Sequence, residues 1–270
     1  MIKDITIGQY FPGNSVIHRL DSRVKLLLDI VYLVALFCAQ SYTGLLVGAL
    51  FMVVCYMLAN IKLVMILKSI KPIVPLMIFT GILNMLFIKG EEPLFSWWII
   101  SVYPEGVRMA VFMLMRVLAL IIGMSLLTYT TSPIQLTDAI ERLLNPLKKL
   151  KFPVHELSMM MTIALRFIPT LVEETDKIMS AQKARGAELD NGNLMQKAKA
   201  LIPVLIPLFV SAFKRANELA TAMECRCYRG GEGRTRLKTL KTAPRDYVAI
   251  AVMLLLFAGI IVINMFPVLP

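Results

Sequence analysis

Tyr247 to Phe266 reads YVAIAVMLLLFAGIIVINMF, twenty residues without a charge. The hydrocarbon core of a bilayer is about 30 Å thick, and about 20 apolar helical residues cross it. The segment therefore reads as a transmembrane helix. Four more blocks of the same character lie at about 24–41, 44–61, 72–88 and 107–129. Composition agrees, because the 270 residues are 57% hydrophobic with a mean hydropathy of +0.70. The apolar residues come in long blocks, where a soluble domain would scatter them at helix or strand period. The expected fold class is all-α: a polytopic membrane protein with about five transmembrane helices.

The connections fix an expected orientation. Ser41, Tyr42 and Thr43 separate the first two blocks, which predicts a tight helical hairpin. Between the third and fourth blocks, Phe95, Trp97, Trp98 and Tyr103 suit a loop resting on the membrane surface, where amphipathic rings are favoured. Lys3, Arg19, Arg23 and Lys25 precede or open the first span, and Lys62, Lys68 and Lys71 follow the second. Residues 130–245 carry nineteen Lys and Arg against eleven Asp and Glu. The opposite side has Lys89, with Arg108 at a span's edge. Basic connections remain cytoplasmic, so five spans place the N-terminus inside and the C-terminus outside. The same bias accounts for much of the net charge of +11, and nucleic acid gains little as a partner. The first twenty residues are polar, with Pro12, Gly13 and Asn14, so no cleavable signal peptide is expected.

The expected domains are a membrane part at 1–129, a cytoplasmic domain of long amphipathic helices at 130–245, and a final span at 246–270. Within the cytoplasmic domain, Ser132 and Pro133 open a helix as cap and first-turn residue. A longer helix follows Pro153, with Leu157, Met160, Met161, Ala164, Ile168, Leu171 and Val172 at three- and four-residue steps. Pro169 should bend it, and Gly186 should stop it in the left-handed position. A second long helix covers about 194–227. Its middle, Ala200 to Phe213, is fourteen uncharged residues, too short to span, and is expected at the membrane face or against other helices.

Both long helices end alike, as Ala184-Arg185-Gly186 and as Cys225-Arg226-Cys227 with Gly230 following. Arginine stays charged and its planar fork grips a carboxylate with two hydrogen bonds, so exposed arginine tips suit docking to acidic grooves. Basic residues also favour helix C-termini for the dipole alone; two matched ends tilt the reading toward docking.

Other candidates are weaker. Gly8 to Ser15 has the glycine spacing of a phosphate loop, but Asn14 stands where lysine must reach the phosphates. Nucleotide binding is therefore rejected. Cys38 and Cys55 lie in apolar blocks, and Cys225-Arg226-Cys227 lacks further zinc ligands. No cofactor or metal is expected. Arg116 lies near the middle of the fourth span and Asp29 in the inner half of the first. They are read as an intramembrane ion pair, structural or placed at a partner interface. Gly44 and Gly48 form a G-x-x-x-G read as packing, and His18 and His155 are read as structural.

At this point the residues resemble a known family. Ile7-Gly8-Gln9-Tyr10-Phe11-Pro12-Gly13-Asn14-Ser15, then His18-Arg19-Leu20-Asp21-Ser22-Arg23-Val24-Lys25, look like the start of the transmembrane T component of energy-coupling factor (ECF) vitamin transporters. Ala164 to Pro169 and Ala181 to Gly186 match that family's first coupling helix. The resemblance covers nearly the whole chain. It implies a non-catalytic coupling subunit in a bacterial cell membrane, with two ABC-type ATPases and a substrate-binding membrane S component as partners. It assigns ATPase docking to Ala184, Arg185 and Gly186. It carries the same role to Arg226, where Cys225 and Cys227 stand in place of the family's alanine and glycine. Two readings compete. A membrane enzyme would need a reactive cluster, and Glu173, Glu174 and Asp176 look like a solvated helix face. A self-sufficient carrier would show repeated halves and broken spans.

Overall fold

The computed structural model describes residues 10–90, 95–97, 100–150, 152–187, 193–230 and 242–265. The contacts divide them into two compact units. One comprises residues up to Ala139 together with those from Thr239 on, and the other runs from Ile140 to Lys238. Nearly all of both is helix.

The first unit opens with α1 (Ser22–Cys38), α2 (Tyr42–Ala59), α3 (Leu63–Ile70) and α4 (Val74–Phe87). Asp21 caps α1 by accepting the Arg23 N–H at 2.9 Å, and the Ser41 hydroxyl caps α2 through the Gly44 N–H. The short turn between α1 and α2 gives the hairpin that Ser41 to Thr43 predicts. Phe95–Trp97 (β1) and Ile100–Val102 (β2) pair antiparallel in a small ribbon, where the sequence suggested a surface loop; Trp98 lies outside the described residues. α5 (Pro104–Thr130) and α9 (Pro244–Met265) complete the unit, and α6 (Pro133–Leu143) begins in it.

The third expected span needs correction. The helix read at 72–88 is α4, but it passes as a span only together with α3 ahead of it, the two bent by 56° at a short break. Pro72 sits in that break, where its ring and missing N–H oppose a continuing helix. α4 alone, fourteen residues or about 21 Å, is shorter than the hydrocarbon core. Among the described residues, four helices qualify as spans by length and apolar character, or five if the bent pair counts as one. That roster includes a helix at Ala198–Cys225 and omits α1, which has 17 residues. The number five recurs, but the list is not the one read from the sequence.

The core of this unit gathers where α1, α2, α5 and α9 meet. Tyr32, Ala35 and Leu36 of α1 are fully buried with Leu45, Met52 and Tyr56 of α2, Ala119 and Tyr129 of α5, and Ile260 of α9. Small residues allow the approach. A Cβ on Gly123 would lie 2.5 Å from the Tyr32 ring, and one on Gly48 would lie 2.8 Å from Leu36. The Gly44–Gly48 spacing is thus a packing device at Gly48. Lys25, itself buried, donates to the Thr130 carbonyl at 2.8 Å and to the His18 carbonyl at 3.1 Å, which ties α1 to the end of α5. The Asp246 carboxylate accepts the Asp21 and Ala243 N–H groups at 2.9 and 2.7 Å, joining the starts of α1 and α9.

In the second unit a short 3-10 segment, Asn145–Leu150, leads to α7 (Val154–Ala184) and α8 (Leu194–Cys225), which pack on each other. The Ser132–Pro133 start of α6 forms as expected: the Ser132 hydroxyl accepts the Gln135 N–H at 3.3 Å, and Gln135 returns a bond to the Ser132 N–H. α7 runs through Pro169, and α8 runs through Pro203 and Pro207.

Candidate docking site: two arginine-tipped helix ends

The end of α7 closes in a Schellman turn. Gly186 donates to the Lys183 carbonyl and Ala187 to the Gln182 carbonyl, both at 3.0 Å, with Gly186 at φ +88°. That leaves Arg185 as the capping residue just past the helix, exposed. The end of α8 repeats this bond for bond. Cys227 donates to the Glu224 carbonyl at 2.8 Å and Tyr228 to the Met223 carbonyl at 3.1 Å, with Cys227 at φ +54°. Arg226 occupies the same place as Arg185 and is also exposed. The two tips are one backbone motif, although the second has a cysteine where the first has glycine.

A side chain in the left-handed region costs about 1–2 kcal/mol, because its Cβ crowds the following carbonyl. Cys227→Gly is therefore expected to stabilise the α8 end by about 1 kcal/mol. A raised thermal midpoint of the full chain checks this; a lowered one would mean that the thiol contributes contacts worth more than the strain.

The helices run antiparallel. The Gln182 amide donates to the Pro203 carbonyl at 3.2 Å, and Glu174 accepts the Ser211 hydroxyl and the Arg215 guanidinium, the latter at 2.8 Å. Met159 and Ile163 near the start of α7 share a cavity with Leu219 and Met223 near the end of α8. With α7 at 31 residues and α8 at 32, each is about 45–50 Å long, so Arg185 and Arg226 lie at opposite ends of the pair.

Two of these ties have a physical cause that sequence reading missed. Pro207 has no N–H, so the Pro203 carbonyl four residues back loses its helical donor, and Gln182 supplies one. The signal was present in the Pro203–Pro207 spacing. Glu174, grouped in the sequence with a solvated acidic face, instead joins the helices. The Ser211 hydroxyl, and then Arg215, hold its carboxyl below the usual carboxylate range. Glu173 beside it is exposed.

The structure does not bring Asp29 and Arg116 together. The Arg116 guanidinium donates to the Ala39 carbonyl at 2.6 Å and lies 4.7 Å from the centre of the Phe112 ring. It caps the negative end of α1. Ala39 is ten residues beyond Asp29, about 15 Å along the axis, which separates the two charges in depth. Asp29 instead lines a cavity of about 400 Å³ walled by α1, α2, α5 and α9.

The histidines are structural in geometry. His18 accepts from the Ser15 hydroxyl at 2.7 Å and donates to the Phe11 carbonyl at 3.0 Å, and burial lowers its pKa, so the ring stays neutral. His155 lies 3.3 Å from the buried Glu141 carboxylate, which also accepts the Ser158 hydroxyl and so pins α6 to α7. Among the described residues no three His, Cys, Asp or Glu side chains gather into a metal-binding group.

Packed apolar helices of spanning length in the same chain as a pair of long helices with matched arginine ends define a multi-pass helical membrane protein. Residues 13–237 match the family model CbiQ, described as a cobalt transport protein. The chain is 57% identical over 250 residues to the energy-coupling factor transporter transmembrane protein EcfT of Clostridium kluyveri, covering 92% of this chain and 93% of that one. It is 52% identical over 264 residues to EcfT of Ruminiclostridium cellulolyticum, covering 98% of each. To EcfT of Bacillus subtilis it is 45% identical over 258 residues, covering 96% and 97%. The chain belongs to this family, the transmembrane (T) components of ECF transporters.

Proposed function

We propose that the chain is the coupling subunit of an ECF-type importer, carrying the ATP-driven motion of two ABC-type ATPases to a substrate-binding membrane S component for uptake of a vitamin or other micronutrient. ATP is hydrolysed on the partners, and this subunit is not catalytic. Its N-terminus is cytoplasmic, as the Lys and Arg distribution argues. One observation carries the reading: the same arginine-bearing turn closes both long helices, at opposite ends of an antiparallel pair. Tips about 45 Å apart are too distant for one groove and suit one ATPase each. Movement of either ATPase then levers a rigid pair held together by Glu174, Ser211 and Arg215.

α8 supports the second partner. Leu201, Ile202, Leu205, Ile206, Phe209, Val210 and Phe213 recur at one- and three- or four-residue steps, and all are exposed. So large an apolar face marks a contact with another protein or with the membrane, and we assign it to the S component.

Affinity purification of the tagged chain from gently solubilised membranes at low salt tests the assembly. Two ATPases and a small apolar membrane protein should accompany it. Recovery of the chain alone would refute the proposal. The bent α3–α4 pair favours a self-sufficient carrier. On that reading the chain alone would transport in liposomes, and on ours it would not.

A further inference from the structure

The second tip carries a feature that the docking arginine does not require. A cavity of about 440 Å³ adjoins it, lined on the apolar side by Met159 and Ile163 of α7 and by Leu219 and Met223 of α8. Arg226 and Arg229, both exposed, also line it. We propose that this cavity receives a large apolar side chain of the ATPase, with a carboxylate in the same partner segment lying against Arg226 and Arg229. The proposal rests on the docking reading and deepens it.

Three observations select that occupant. The volume falls within the range of about 300–1,000 Å³ over which pockets enclose a ligand, and far exceeds the void left by imperfect packing. The walls are methionine and branched aliphatic side chains, and methionine adapts to the shape of an incoming group. Interfaces concentrate their binding energy where an aromatic or aliphatic anchor fills such a pocket. The charge is one-sided, because the lining holds two guanidiniums and no acidic residue. Among the described residues neither arginine forms an ion pair. A partner segment of an apolar residue next to Asp or Glu satisfies both halves at once, with the paired carboxylate favoured by the two-pronged geometry of arginine. A free anion would leave the apolar walls in water, and a lipid tail would leave the arginines unmatched.

Photo-crosslinking of the intact complex tests this. Benzoylphenylalanine in place of Leu219 is expected to label a peptide of an ATPase subunit that contains an acidic residue. Labelling only of lipid, or only of this chain, would overturn the proposal. In parallel, Ile163→Trp fills the cavity and Arg229→Glu reverses a surface charge without touching the core. Each is expected to weaken ATPase binding about tenfold, with the thermal midpoint of the chain confirming its fold. Wild-type binding by Arg229→Glu would also overturn it. The docking reading is tested separately by Arg185→Ala and Arg226→Ala. If those release the ATPases while Arg229→Glu binds normally, the cavity proposal alone falls. If they too bind normally, the docking reading falls with it.

Discussion

Changing Arg185 and Arg226 together to alanine is expected to release both ATPases and abolish uptake, with the chain still folded in the membrane. Both side chains are exposed and neither forms a hydrogen bond or ion pair among the described residues, so their removal leaves no hole in this chain. Truncating one partner of a buried, hydrogen-bonded charge pair at an interface costs about 2–5 kcal/mol, a loss of at least thirtyfold in affinity. Each single variant should therefore weaken one ATPase contact by that order. The double variant loses both contacts, and transport requires both. Arg185→Lys and Arg226→Lys should rescue only in part, since an ammonium keeps the charge but cannot form the paired fork. ATPase retention on the purified chain and substrate uptake in vesicles are the two readouts. Wild-type uptake by the double variant would refute the docking role.

The second large effect belongs to the apolar face of α8. Ile206→Asp and Phe209→Asp, made together, are expected to abolish uptake while leaving both ATPases bound. Phe209 and Ile206 are 62% and 60% exposed, so the substitutions disturb little within the chain. Against a partner surface, each places an unpaired carboxylate where an aromatic or aliphatic anchor belonged. A single anchor of this kind is worth about 2 kcal/mol or more, and the unpaired charge adds to the loss. The S component should therefore be missing from the purified complex. The opposite pattern, with the S component present and the ATPases lost, would place the ATPase contact on α8 and overturn the division of labour between tip and face. Retention of all partners with normal uptake would leave the face to lipid.

The membrane character and most of the helices were legible in the sequence because their signals are local. An uncharged run such as Tyr247 to Phe266, a cap such as Ser132 ahead of Pro133, and a stop such as Gly186 each act within a few residues of chain. The same locality made Arg185 and Arg226 visible as matched helix ends. The sequence could not show that they share a backbone turn, because Cys227 lacks glycine's conformational signature and adopts φ +54° in spite of it.

What only the tertiary structure decided concerns partners distant along the chain. Arg116 caps α1 at Ala39, 77 residues away, and not Asp29, because the depth of a side chain depends on how α5 slides against α1. Glu174 and Gln182 of α7 bond to α8 and not to solvent, and these bonds set α7 and α8 antiparallel. That pairing is what sends the two arginines to opposite ends of a rod about 45 Å long. Composition and periodicity describe each helix against an average surrounding, so they determine that a helix forms and where it stops. The energy that chooses its neighbour comes from single hydrogen bonds and close contacts, such as Tyr32 against Gly123, and these exist only once the helices have met.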